Sequence, residues 1–135
     1  MSIPTEDGGV IFEELVGIRV SEIHLLGLVR INFGDDRTFE LSIERDFTVH
    51  SSNSQQGAVV EFRPYLEDWQ PTGMNELASL FHSVVEQASA QSDALLLISV
   101  TDGKTLEVQP DPLYEAWGFW IDGVKCGQIA GGGLM

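Results

Sequence analysis

A short pattern occurs twice in this chain, and no other feature narrows the fold as far. Asp35-Asp36-Arg37-Thr38-Phe39-Glu40-Leu41 is matched position by position by Asp102-Gly103-Lys104-Thr105-Leu106-Glu107-Val108, about half the chain further on. Upstream the likeness continues after a small slip, with Leu15 to Glu22 lying over Leu80 to Gln87. A pair of copies is too few for a stacked solenoid, which needs about three repeats. The expectation is therefore two similar halves, about 12–62 and 74–130, sharing one core about an approximate two-fold axis. The alternative is chance likeness, since alternating strands resemble one another.

Each copy has the pattern of a β-hairpin. Leu96, Ile98 and Val100 alternate toward one face, and Leu106 and Val108 return to it after Asp102-Gly103. Asp-Gly suits a two-residue turn with positive φ at both positions. In the first copy Val29, Ile31 and Phe33 are answered by Phe39, Leu41 and Ile43, with Asp36 in the place of Gly103. Asp is among the few residues that tolerate that conformation. Phe47 to His50 with Ala58 to Phe62, and Trp117 to Ile121 with Val124 to Ile129, read as a further hairpin in each half. Phe12 to Val16 fits one or two helical turns closed by Gly17.

The stretch from Met74 to Ala88 reads two ways. Leu77, Leu80, Phe81, Val84, Val85 and Ala88 keep helical spacing. The repeat instead predicts a short helix ending near His82 and a strand from Val84 to Ala90. We adopt the second reading, since Val84 and Val85 are β-branched. The fold class expected is α+β, mainly antiparallel β, with two similar β-hairpin-based halves in one domain and one or two short helices. That domain spans 11–133, after a flexible lead-in over 1–10. Residues 63–73 are a docked crossover punctuated by Pro64, Pro71 and Gly73.

A length of 135 residues is that of one domain, and one this size hides roughly two-thirds of its unfolded surface. The lone Cys126 closes no internal disulfide. No apolar run nears the roughly 18 residues that span a bilayer, and residues 1–9 lack the features of a secretory signal. A cytoplasmic location is expected. The formal net charge of −14 is spread along the chain rather than gathered in a tail. Such a surface repels nucleic acid and anionic lipid and favours basic partners.

Residues that carry chemistry elsewhere are poorly placed here. His24, His50 and His82 lack metal-ligand spacing, so no metal and no cofactor is expected. Cys126, flanked by Lys125, has no His or Asp motif around it. Asp111 and Glu115 lie four apart on a short turn begun by Pro112. Paired carboxylates can divide acid and base roles, but an N-cap Asp and a first-turn Glu serve any short helix equally. Trp117, Trp120 and Tyr114 suit a core better than a small-molecule pocket. Leu95 and Leu97 point away from the Leu96 and Ile98 face, which a crossover or a second chain would cover.

The residues Asp102, Gly103, Leu106, Val108, Pro110, Asp111, Pro112, Tyr114, Glu115, Ala116 and Trp117 resemble the terminal pattern of an uncharacterised bacterial family of small domains. The likeness covers most of 11–133 and implies no catalytic residues. In size and acidity the chain is similar to immunity proteins that neutralise bacterial toxins.

Three functions follow as expectations. The first is a non-enzymatic acidic interaction protein of immunity type, meeting a basic toxin or nuclease through exposed acids such as Glu40, Glu44, Glu67, Asp68 and Glu107. The second is a self-associating accessory module, a homodimer through Leu95 and Leu97. The third is an enzyme using Asp111 and Glu115, and the first is preferred.

Overall fold

The computed structural model describes residues 2–25, 28–35, 39–51, 58–61, 72–111, 115–121 and 123–127. The alternation in the sequence becomes the inside and outside of strands. In the first half β3 (Val20–Leu25), β4 (Val29–Phe33) and β5 (Phe39–Ile43) form an antiparallel meander. Its second and third strands bury Val29, Ile31, Phe33, Phe39, Leu41 and Ile43. In the second half β8 (Val85–Ala90), β9 (Leu96–Val100) and β10 (Lys104–Val108) repeat it, burying Leu96, Ile98, Val100, Leu106 and Val108. Each half then adds a hairpin, β6 (Phe47–Ser51) with β7 (Ala58–Val60) and β11 (Trp117–Ile121) with β12 (Val124–Gly127).

The hairpins are exchanged between halves. Strand β6 pairs with β10, and β11 pairs with β5. With β1 (Ser2–Pro4) and β2 (Val10–Phe12), this gives a seven-stranded sheet β1-β2-β8-β9-β10-β6-β7 and a five-stranded sheet β12-β11-β5-β4-β3. Apolar faces of the two sheets supply one core. Phe119 stacks on Phe12 at 5.3 Å and on Phe33 at 5.9 Å, while Trp117 meets Phe12 edge-on at 6.4 Å. The Trp117 indole N–H donates to the Ala94 carbonyl at 2.8 Å, a buried bond between the sheets.

The two-fold relation is visible in the backbone. Arg19 and Val84 bridge each other at matching places in the two copies. Around them the hydrogen bonds come in reciprocal pairs. The Gly17 N–H donates to the Val85 carbonyl at 2.8 Å, as that of His82 does to Val20 at 3.0 Å. Val20 donates to Ser83 at 2.8 Å, as Val85 does to Ile18 at 2.9 Å. Gly34 donates to Arg19 at 2.8 Å, as Thr101 does to Val84 at 2.9 Å. Gly17 and His82 share the left-handed conformation, with φ of 84° and 70°. Both β3 and β8 shift register after their first residue, between Val20 and Glu22 and between Val85 and Gln87. Bulges at one place in both copies re-aim both strands alike.

Several expectations change. Asp102 and Gly103 are left-handed as expected, at φ 68° and 71°, but they lie in a three-residue loop, Thr101–Gly103, between the pair Val100 and Lys104. The reason is parity. Partners across an antiparallel pair share a face, so Ile98 must oppose Leu106, and a two-residue turn would set Leu106 against Ser99. In the first half the closing pair is Phe33 and Phe39, a longer loop. Hence Ile43 faces Val29 as Val108 faces Leu96, and the return strands are matched two residues away from the alignment that disclosed the repeat. A slip of two keeps every side chain on its face. Asp36 lies outside the described residues.

Residues 2–10 do not behave as a lead-in, because Ser2–Pro4 pairs with Val10–Phe12. The turn between them is tied by the Gly9 N–H to the Thr5 hydroxyl at 2.9 Å. A side chain at Gly9 would meet the Ala90 carbonyl at 2.6 Å, so this glycine lets β2 lie against β8. The ambiguous stretch divides as the repeat predicts, into α1 (Met74–Ala78) and β8. Of the supposed turn after Asp111, residues 112–114 lie outside the described residues, and Glu115 and Ala116 are not helical.

Candidate interaction surface

Acids chosen from sequence do not converge. Glu40 lies on the outer face of the five-stranded sheet, opposite Trp120 and Asn32, and its carboxylate pairs with Arg30 Nε. Glu44 is exposed just beyond β5. Glu107 lies on the outer face of the other sheet and meets His50 Nε2 at 3.2 Å. Outer faces of a sandwich look in opposite directions, so Glu40 and Glu107 cannot touch one partner surface. Glu67 and Asp68 lie outside the described residues. Leu97 is half-buried on the outer face of the seven-stranded sheet between Ser89 and Glu107, and Leu95 is half-buried in the turn before it. Trp117 points into the core and Trp120 outward, so they share no pocket. The Lys125 ammonium sits 5.7 Å from the Trp120 ring and 3.1 Å from Glu115.

Sequence reasoning named Glu40 but missed the acids around it. Ser21, Glu22, Asn32, Asp35 and Glu40 line a hollow of about 210 Å³ at the turn end of β4 and β5. The Glu22 carboxyl is held below its usual range, first by the hydrogen bond with His24 at 2.7 Å, then by that from the Asn32 amide at 3.3 Å. Among the described residues no three His, Cys, Asp or Glu side chains gather as metal ligands.

The described bases are already engaged. Arg19 pairs with Asp35 at 2.7 Å, Arg30 with Glu40 and Lys125 with Glu115. Arg45 donates to the Pro110 carbonyl at 2.8 Å, and Lys104 to that of Ser79 at 3.2 Å. Acids outnumber bases 21 to 7 over the whole sequence, and no described Asp or Glu is buried.

One edge departs from the two-fold relation. Strand β8 is flanked by β2, whereas among the described residues its counterpart β3 ends its sheet. Phe12 and Leu77, equally far ahead of Gly17 and His82, are both buried. The residues around Phe12 are extended as β2, while those around Leu77 coil into α1. Beside β3 this leaves an apolar groove of about 460 Å³ lined by Ile23, Leu25, Met74, Leu77, Ala78 and Phe81. Leu25 and Phe81 are 42% and 46% exposed, although Ala90, the counterpart of Leu25, is 2% exposed under β2. The signal was present in the sequence, in Ile23 and Leu25 lying over Ala88 and Ala90. Large apolar residues aligned with small covered ones mark a face whose cover differs.

The architecture is that of a two-sheet antiparallel β domain formed by two interleaved copies of one unit. Among the described residues no helix is long and apolar enough to cross a membrane. The chain belongs to DUF6188, a family of unknown function, whose match covers residues 11–129. No curated protein and no solved structure matches it.

Proposed function

We propose that this chain is a non-enzymatic interaction protein that binds a basic protein, in the manner of a bacterial immunity protein occluding a toxin or nuclease. The observation that carries the reading is the uncompensated charge. Every described Lys and Arg is spent on an internal partner, while the net charge is −14. Complementary fields speed encounter and exclude wrong partners. The five-stranded sheet supplies the better face, since Glu22, Asp35 and Glu40 lie together there against only Arg19 and Arg30. The self-associating alternative is less well served, because Leu97 is flanked by Ser89 and Glu107 rather than by other apolar residues.

The test is capture of a basic protein from the cells that make this chain, followed by titration with salt. The reading expects retention that falls steeply with ionic strength, weakens on joint Glu22→Lys and Asp35→Lys substitution, and suppresses any nuclease activity of the captured protein. Retention indifferent to salt and to those substitutions would overturn it.

A further inference from the structure

The internal two-fold shows what fits beside β3, because β2 already occupies the corresponding place on β8. There an extended segment runs antiparallel to the edge, with Val10 opposite Ala90 and Ile11 opposite Ser89, and Phe12 is driven into the core. Residues 74–78 are helical and supply no such strand, and among the described residues nothing pairs with the outer edge of β3 beyond Val20, whose N–H and carbonyl meet Ser83 and His82. An edge strand carries a row of unpaired N–H and C=O groups, which is a template for a further strand. An apolar groove lies directly alongside it.

We infer that the outer edge of β3 and the groove over Ile23 and Leu25 receive an extended segment of the basic partner, which adds to the five-stranded sheet as β2 adds to β8. The inference rests on the interaction reading above and names its contact. The segment that fits alternates apolar and basic residues. Its apolar side chains enter the groove between Leu25 and Phe81, as Val10 and Phe12 turn inward in the other half. Its intervening residues fall on the outer face with Glu22 and His24. Charge decides against a second copy as the occupant. Pairing β3 with itself would bring two chains of net charge −14 together.

The experiment uses the whole chain and a short synthetic peptide alternating valine and phenylalanine with lysine. Its controls are the same composition in blocks, and the alternating peptide with N-methylated backbone amides. Amide hydrogen exchange of residues 21–25 is read by NMR, and affinity by titration. Fast exchange at the outward amides of β3 is expected in the free chain, with protection by the alternating peptide. Affinity should fall by about tenfold or more for Leu25→Lys and for Phe81→Lys. Both positions are already exposed, so both variants should retain the fold, checked by circular dichroism.

Equal binding of the N-methylated or block peptide overturns the inference, because main-chain pairing would then play no part. Protection of the edge in the free monomer overturns it too, since the chain would cover β3 itself. So does a dimer that Leu25→Lys dissolves, for then the occupant is a second copy. If the peptide fails while salt-sensitive capture of a basic protein persists, the β3 site is lost and the acidic-surface reading stands. Loss of both removes both.

Discussion

Leu15→Ala and Leu80→Ala, made separately, probe the two-fold relation where it is tightest. Both leucines are buried, at 0% and 2% exposure. Each carbonyl closes the same turn, accepting from Ile18 at 3.1 Å and from Ser83 at 3.0 Å. Truncating a fully buried leucine costs about 3–5 kcal/mol, and the spread reflects how far each site can collapse. Because the surrounding backbone is reciprocal, collapse should be alike at the two sites. We expect about 3 kcal/mol from each, matched to within about 0.5 kcal/mol. Urea unfolding followed by far-UV circular dichroism measures it. With a slope of about 1.5 kcal/mol/M, each midpoint should fall by about 2 M. Both variants should unfold in one transition, because β5–β11 and β6–β10 join the halves within each sheet. Losses differing by more than about 1.5 kcal/mol, or a transition that splits in two, would refute the equivalence of the halves.

Three further expectations are independent of the partner. Trp117→Phe leaves the Ala94 carbonyl buried without its 2.8 Å donor and removes ring carbons from the core; it should cost about 3 kcal/mol, and a loss below about 1 kcal/mol in the same assay would contradict the role given to the indole. His82→Gly relieves a left-handed residue at φ 70°, worth about 1–2 kcal/mol, against about 0.4–1 kcal/mol for the more flexible unfolded chain. A small rise in Tm is expected, and a clear fall would mean that the contact of His82 with Arg19, at 3.4 Å, holds the turn. For Glu22, the carboxyl is depressed below its ordinary 4.5 by His24 and then Asn32, so its contribution to stability is complete above that value and is lost as pH falls through the folded pKa. Glu22→Gln should therefore flatten the acid limb of the stability curve, and an NMR titration placing Glu22 at or above 4.5 would count against the cause.

Much of the fold was legible because the period of a strand is two. Val29-Ile31-Phe33 and Leu96-Ile98-Val100 announce inward faces whatever the register. Register itself was not legible from the matched motif. Side chains at Leu106 and Phe39 look equivalent in sequence, yet cross-strand partners assign Leu106 to Leu41, since a slip of two residues leaves the pattern unchanged. The weaker upstream match, Leu15 to Glu22 over Leu80 to Gln87, proved the faithful one because it contains the hydrogen bonds that join the copies. For the site, sequence identified acids by charge alone. Glu40 and Glu107 were grouped although the fold sends them to opposite faces, and a grouping of that kind depends on which sheet each strand joins.

The broken symmetry at β3 has a local cause. Residues 10–12 are held extended by β1, through Ile3 opposite Ile11 and Pro4 opposite Val10. Their counterparts around Leu77 are held by a different neighbour. Thr72 bridges Glu61, and Gly73 lies so close to β7 that an added Cβ would meet the Val59 carbonyl at 2.5 Å. The left-handed turn at Gly73, φ 70°, then sends Met74 into a helix whose Leu77 N–H donates to the Gly73 carbonyl at 3.0 Å. Chain anchored to β7 on the far sheet cannot also lie extended along β3. Leu77 still reaches the core position that Phe12 fills in the other half, so the core closes while, among the described residues, no strand covers the sheet edge. An apolar edge is a liability unless it is charged or covered. On the proposal made here, the Glu22 carboxylate along β3 disfavours a second acidic copy and favours a basic strand.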